Sequence, residues 1–428
     1  MSTLEEIRQR LVQSQLFTDE ELGERLAQWA AESTSSDDGD ALIAWLVGQQ
    51  RLTEFQAEAL AAGMPGPFML GPYRVQEHLA AGRLGHVFRA VHVDFDQPVS
   101  LKIFPQALHD DPSKLARIQR EARVAIQVDH PHVMRTFQIG RVGKVYFLAF
   151  EDLQGESLET RLAREGTLPY PEACRLLRQA ALGLESLHEC DIVHRDLRPV
   201  NLWITQHGQL KIMEFGAARD SLSFLDSAEE GVQPTSISSH TAAIGNYEYT
   251  APEQARNGQD ADTRSDIYAL GCCLYHALAG RPPFVEKNVV ELIARHVNEA
   301  PQLVNWLAPQ VPQPLAEVVS RMLNKSPDER YQTAGELDWA LSPFVEHGKT
   351  DTAEATESEW NPAYLEWVRS LNATESLSET AAAETAAEAT GQEVSGMSNE
   401  FSEFLDWISD KTTAKIKENA ETRLENQL

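Results

Sequence analysis

Cysteine, positive charge and long apolar runs are all in short supply in this 428-residue chain. Its four cysteines, Cys174, Cys190, Cys272 and Cys273, form no CxxC pair, so the spacing used for paired thiol ligands or redox dithiols is missing. Lysine and arginine number 37 against 65 acidic residues, a net charge of -28 with a pI near 4.8. A nucleic-acid binder needs a basic stripe to neutralise phosphates, and none is visible. The longest apolar run lies around 267–280 and is interrupted by His276. That is shorter than the roughly 18–20 residues a membrane span needs. The N-terminus opens with Glu5 and Glu6 rather than a basic run before an apolar stretch, unlike a secretory signal. These absences predict a reduced, cytoplasmic chain with no nucleic-acid partner and no transmembrane segment.

What is present is unevenly distributed. Hydrophobic residues make up 42%, enough for a sizeable core. Residues 1–68 carry 12 acids and 4 basic residues, and 349–428 carry 17 acids and 6 basic residues. The centre is therefore much closer to charge balance than the flanks. Residues 1–67 read as a helical leader. Thr18-Asp-Glu-Glu21 and Thr53-Glu-Phe-Gln56 fit the capping-box pattern, and Leu42, Trp45 and Leu46 share one helical face. Residues 33–40 form a polar break, and 63–67 a Gly/Pro linker. From Tyr73 the pattern becomes β-rich, with strands expected at 73–79, 86–93, 98–104 and 145–150. After Ser157 it becomes helical. A β-rich lobe followed by an α-rich lobe is an α+β arrangement with a cleft where ligands tend to sit. The expected domains are the leader (1–67), a central domain (73–345, dividing near 150) and an acidic tail (346–428).

Within the tail, 372–396 is rich in Ala, Glu, Ser and Thr and is expected to be disordered. Two islands interrupt it. Tyr364-Leu-Glu-Trp-Val368 and Phe404-Leu-Asp-Trp-Ile408 align as aromatic, Leu, acid, Trp, aliphatic, and Leu337-Asp-Trp-Ala340 partly shares the pattern. Such islands dock as short amphipathic helices, on this chain or on a partner protein. Leader and tail are thus the candidates for protein docking.

The centre carries an ordered series of motifs. Leu79-Ala-Ala-Gly-Arg-Leu-Gly-His-Val87 is a glycine-containing turn, and glycine lets backbone N–H groups approach phosphate with no Cβ in the way. In Val99-Ser-Leu-Lys-Ile103, strand alternation puts Val99, Leu101 and Ile103 on one face and Ser100 with Lys102 on the other. Glu121 follows on a helical stretch. Then come Phe147-Leu-Ala-Phe-Glu-Asp-Leu153, His194-Arg-Asp-Leu-Arg-Pro-Val-Asn201, Met213-Glu-Phe-Gly216, Ala251-Pro-Glu253, Asp266-Ile-Tyr-Ala-Leu-Gly271 and Pro327-Asp-Glu-Arg330.

This order, over about 270 residues, resembles the bacterial Hanks-type serine/threonine protein kinases. The resemblance implies a bilobal protein-kinase fold and transfer of the γ-phosphate of ATP to protein hydroxyls, with Mg2+ or Mn2+ as metal. It implies a nucleotide site at Leu79, Gly82, Gly85, Val87 and Lys102, with Glu151 and Leu153 at the adenine edge and Phe150 as gatekeeper. Glu121 would pair with Lys102, Asp196 would orient and accept the proton of the acceptor hydroxyl, and Asn201 and Glu214 would hold metal. Glu253 would pair with Arg330, and Asp266 would anchor the catalytic loop.

Departures from the pattern bear on activity. Glu214 stands where the family has aspartate, and its extra methylene carries the carboxylate roughly 1 Å further, a misplacement that can cost about 100-fold in rate. Alanine (Ala80 or Ala81) replaces the first loop glycine, and Ser100 replaces a small apolar residue. Arg198 stands where these kinases have lysine and Asn246 where they have threonine, and both family residues contact the catalytic aspartate. Arg198 is a planar fork rather than a point charge. Pro199 keeps the Ser/Thr pattern. Arg195 before Asp196 predicts a phosphate switch, with modification between Thr235 and Thr241. The alternative reading is a pseudokinase, a nucleotide-binding or scaffolding protein that signals through its flanks.

Overall fold

Three helix starts in the first 60 residues are written as reciprocal caps. Thr3 Oγ1 accepts from Glu6 N while Glu6 Oε2 accepts from Thr3 N. Thr18 with Glu21 and Thr53 with Gln56 repeat the pair. Each box satisfies two orphan donors of the first turn. The expected boxes at Thr18 and Thr53 therefore form, and Thr3-Leu-Glu-Glu6 carries a third that was legible as the same pattern. The structure is a computed structural model. It describes residues 3–32, 38–66, 68–82, 85–105, 112–143, 145–213, 247–345, 360–375, 403–405, 407–408 and 411. The chain divides into two compact units: Met1–Gln119, Phe137–Asp152 and Ser358–Leu428 in the first, Arg120–Thr136 and Leu153–Glu357 in the second.

The first unit begins with helices α1 (Leu4–Gln13), α2 (Asp19–Glu32), α3 (Gly39–Gly48) and α4 (Glu54–Ala61). A sheet follows, from strands β1 (Met69–Leu70), β2 (Tyr73–Gly82), β3 (Gly85–His92), β4 (Gln97–Ile103), β5 (Thr136–Val142) and β6 (Val145–Glu151), in the order β1-β2-β3-β4-β6-β5. The four expected strands are present within a few residues of their predicted ends. β1 and β5 were missed. The first is only two residues long, and the second lies next to the His130-Pro-His-Val133 turn.

Period-2 alternation sends Phe88 and Ala90 of β3, Val99, Leu101 and Ile103 of β4, and Phe147 and Ala149 of β6 into one core with Ile7, Leu11, Leu42, Leu46 and Leu60 of the leader. The same core takes Tyr364 and Val368 of the tail helix Pro362–Glu375, and Phe404 and Ile408 further on. Both tail islands therefore contribute their aromatic and aliphatic residues to it. The Phe404 ring meets Phe68 edge-on at 5.6 Å and stacks with Phe88 at 6.4 Å. Tyr364 shares a hydroxyl–hydroxyl bond of 3.2 Å with Tyr73, and Asn361 donates to Gln97 Oε1 and Phe95 O. The helix runs through Asn372, which donates to Phe137 O at 3.1 Å. Disorder from 372 onward is thus corrected for 372–375, because a side-chain bond to the sheet holds that last turn. Residues 376–396 lie outside the described residues.

In the second unit, β7 (Gly155–Ser157), β8 (Leu202–Thr205) and β9 (Leu210–Ile212) form a small antiparallel sheet. Around it run α6 (Leu158–Glu165), α7 (Tyr170–Glu189), α8 (Pro252–Arg256), α9 (Thr263–Ala279), α10 (Val289–Asn298), α11 (Val304–Leu307), α12 (Gln313–Met322) and α13 (Ala334–Leu341). The helix α5 (Pro112–Gln127) bridges the boundary in sequence. On α7, Leu177, Ala180, Ala181, Leu184 and Leu187 recur at helical spacing and are buried. Gly183 is required there, since an added Cβ would lie 2.6 Å from His132 O. The apolar run that the sequence offered as too short for a membrane is α9. Nearly all of it is buried inside this unit, and Gly280 closes it in the left-handed conformation (φ 74°). Among the described residues no helix is long and apolar enough to cross a membrane.

Candidate active site

The loop after α7 is built around one carboxylate. Asp266, on α9 and 1% exposed, accepts from His194 N and Arg195 N, both at 2.8 Å, and from His188 Nε2 at 2.9 Å. A buried carboxylate with several donors is strongly held, and removing it would orphan all of them. It fixes the backbone where Arg195 takes a left-handed φ of 68°. Such a value is uncommon for a non-glycine residue and must be held by its surroundings. Gln254 Nε2 adds a 2.6 Å bond to Arg195 O. His194 donates from Nε2 to Met213 O at 2.9 Å, and its Nδ1 accepts from Asp196 N at 3.2 Å. With one ring nitrogen facing a carbonyl and the other an N–H, the imidazole is the neutral Nε2–H tautomer.

Asp196 emerges from this frame with its side chain 23% exposed. Asn201, 4% exposed, donates from Nδ2 to Asp196 O at 2.7 Å and to Asp196 Oδ2 at 3.3 Å. Arg198 Nε stands 3.4 Å from Asp196 Oδ1. The structure thus brings Asp196, Arg198 and Asn201 together. Because the Asn201 amide nitrogen is committed to Asp196, its Oδ1 is the atom left to accept, which suits a hard cation such as magnesium. A fixed, partly exposed carboxylate can orient a hydroxyl and take its proton. Glu214, Asn246 and the expected modification sites from Thr235 to Thr241 lie outside the described residues.

The remaining candidates fall elsewhere. On the first unit's sheet, Lys102 of β4 is 8% exposed and sits in register between Val87 and Leu148. Leu79, Gly82, Gly85 and Val87 lie on the β2–β3 hairpin, where Gly82 pairs with Gly85. Gly85 has a φ of 126°, and a Cβ there would fall 1.9 Å from Ile103 O, so the hairpin needs glycine for its own crossing. Glu151 ends β6 and is buried; Glu121 lies on α5, and Leu153 follows Asp152.

Sequence reasoning missed the partner of Ser100. Its hydroxyl donates to Asp152 Oδ1 at 2.9 Å, and Arg89 Nε donates to Asp152 Oδ2 at 3.0 Å. Arg89 and Ser100 are register partners on β3 and β4. The polar residue in an apolar family position is thereby accounted for, and strand alternation together with the Asp152 side chain was the available signal. Glu253 forms two bonds to Arg330, at 2.7 and 2.8 Å, and accepts from Ser265 at 2.6 Å. Burial alone would raise its carboxyl, but Arg330, itself fully buried, holds it below the usual range.

A strand-rich sheet unit, a helical unit and an aspartate-anchored loop carrying Asp196 and Asn201 together define a protein kinase. The family model "Protein kinase domain" matches residues 73–339, and the chain belongs to that family, in its bacterial Hanks-type serine/threonine branch. It is 32% identical over 275 residues to serine/threonine-protein kinase PknB of Mycobacterium leprae, covering 63% of this chain and 42% of that one. It is 30% identical over 274 residues to PrkC of Bacillus subtilis, covering 64% and 40%. The chain thus spans about two-fifths of the length of the curated relatives it matches. Among solved structures, the Mycobacterium tuberculosis PknI kinase domain matches with a TM-score of 0.50 and 25% identity, over 65% of this chain and 98% of that one.

Proposed function

We propose that this chain is a serine/threonine protein kinase acting on protein hydroxyls, with its kinase domain at 73–345 between a leader (1–67) and a tail (346–428). The single observation that carries the reading is the Asp196–Asn201 pair, held on a loop whose backbone is fixed by Asp266. Asp196 receives the proton as the acceptor oxygen bonds to phosphorus and the bond to the ADP oxygen breaks. Asn201 Oδ1, together with Glu214, would hold the metal. ATP with Mg2+ or Mn2+ supplies the phosphoryl group and the charge neutralisation. Lys102 would bind phosphate, with Glu121 as the partner the family pattern expects for it. Gly82 and Gly85 with Leu79 and Val87 would cover the nucleotide, and the backbone from Glu151 to Leu153 would take the adenine edge. Arg198 sits against Asp196 Oδ1 and restricts how that carboxylate turns, so it orients the general base. The reading carries a cytoplasmic location with protein substrates as partners.

The test is intact-mass spectrometry of the purified chain after incubation with ATP and Mg2+ or Mn2+, beside Asp196→Asn. Phosphate gained by the native chain alone establishes the kinase and makes Glu214 a workable ligand. No gain with either metal, also after Glu214→Asp, leaves the pseudokinase.

A further inference from the structure

Away from the kinase motifs, the first unit contains a cavity of about 410 Å3 between the leader and strand β2. Its apolar wall is Leu16, Phe17, Val47 and Leu52. Its charged lining is three arginines, Arg25, Arg51 and Arg74, with Glu21 and Glu54. That composition is unusual in a chain of net charge -28. Residues 1–68 contain four basic residues, all arginine. Arg8 lies beside Glu5 and Arg10 donates to Leu60 O, while the other two face this cavity.

The cavity is preformed. Thr53 Oγ1 and Gln56 Nε2 each donate to β2, to Gln76 O and Val75 O, both at 2.6 Å, which clamps α4 to the sheet at the cavity wall. Gln50, a lining residue, adopts a left-handed φ of 56° at the end of α3, a position that favours glycine. Such outliers persist where the surroundings over-determine them, and they cluster at ligand sites. Glu21 Oε2 accepts from Thr18 N and Oγ1, and its carboxyl is held below the usual range first by those bonds and then by Arg25 and Arg74, so two of the three guanidinium charges are partly offset. Among the described residues, Arg51 and Arg74 make no ion pair within 4 Å, and Arg25 makes a 3.3 Å bond to Gln28.

We propose that this cavity binds a phosphomonoester attached to an apolar group. A guanidinium fork matches phosphate oxygens in pairs, and three forks exceed what a single carboxylate would engage. The volume lies in the range of small-ligand sites, and the apolar wall takes the group that carries the phosphate. The site is independent of Asp196 and of phosphate transfer.

The experiment is fluorescence anisotropy on the full chain, using a labelled peptide with phosphothreonine beside leucine, its unphosphorylated twin, and phenyl phosphate as competitor. The phosphopeptide is expected to bind native protein and Asp196→Asn alike, and the twin to fail. Arg51→Ala, at an exposed position, weakens binding roughly tenfold with unchanged melting temperature, and Arg74→Lys weakens it less because charge remains without the fork. Phenyl phosphate displacing the peptide at equal concentration makes the ligand a small phosphorylated molecule. A peptide at least about tenfold tighter makes it a phosphorylated protein segment. Absent phosphopeptide binding, equal binding of the twin, or affinity unmoved by both Arg51→Ala and Arg51→Glu overturns the proposal.

Discussion

The two units of this chain solve the same problem, holding a functional strand or loop in place, by different physics. The second unit fixes its key loop with a few buried polar groups. Asp266 takes two backbone N–H groups and His188, and Glu253 takes Arg330 in a two-pronged pair. The first unit holds its sheet with dispersed apolar contact drawn from three distant stretches: leader, strands and tail. Polar anchors are directional and fail singly, because losing one partner leaves others buried and unsatisfied. Apolar contact is additive and fails in proportion to the volume removed. The second unit should therefore be brittle at single residues and the first graded.

Four substitutions sharpen that contrast, from the largest expected effect to the smallest. Asp266→Ala should lower phosphate incorporation by roughly 100-fold or more and destabilise the second unit by about 3–5 kcal/mol, as for a broken buried charge network. Rates from intact-mass time courses and urea unfolding would show both. A variant with near-native rates would refute the anchor. Phe404→Ala should cost the first unit about 3–5 kcal/mol. Hydrogen exchange should show faster exchange on β2–β4 while the His194 and Arg195 amides stay protected. Equal loss at those amides would erase the distinction between the units.

Ser100→Ala removes a single neutral-to-charged hydrogen bond to Asp152 and should cost about 1–2 kcal/mol. The double-mutant cycle with Asp152→Ala should return a coupling of similar size, and zero coupling would dismiss the bond. The smallest effect is a pH slope in the second unit. Burial, with the nearby like charge of Glu159, pushes the Glu248 carboxyl up to about 6 from its ordinary 4.5. A group whose folded pKa is raised contributes stability that is complete below the unfolded value. That stability is lost as pH climbs through about 6, on the order of 1 kcal/mol once solvent screening of this partly exposed group is allowed for. Glu248→Gln should flatten the slope of unfolding free energy between pH 4.5 and 6.5, and an unchanged slope would assign it to another group.

Much of this was legible in the sequence, for reasons specific to each feature. The strand pattern around Lys102 could be read because side chains alternate faces with a period of two, whatever lies beyond. The caps at Thr18 and Thr53 could be read because both partners lie within four residues. The loop from His194 to Asn201 could be read because its motif residues are contiguous and Asn201 reaches Asp196 five residues away, although Asp266, 71 and 72 residues from the two amides it holds, fixes the backbone. The second strand pair of the small sheet, β8 with β9, escaped notice inside a stretch read as helical, since three- and four-residue strands carry almost no periodic signal.

The sequence by itself determined the kinase fold, the loop that brings Asn201 against Asp196, and the existence of two aromatic islands in an acidic tail. Tertiary structure alone decided where those islands go: Tyr364 onto Tyr73, 291 residues away, and Phe404 onto Phe68 and Phe88. It also decided that Ser100 would meet Asp152, and that three arginines from α2, the α3–α4 turn and β2 would line one cavity. Local patterns are set by backbone sterics and short-range hydrogen bonds, which a few neighbouring residues specify. Long-range pairings depend on which apolar faces remain uncovered once every element has formed, and that is settled only when the whole chain has packed.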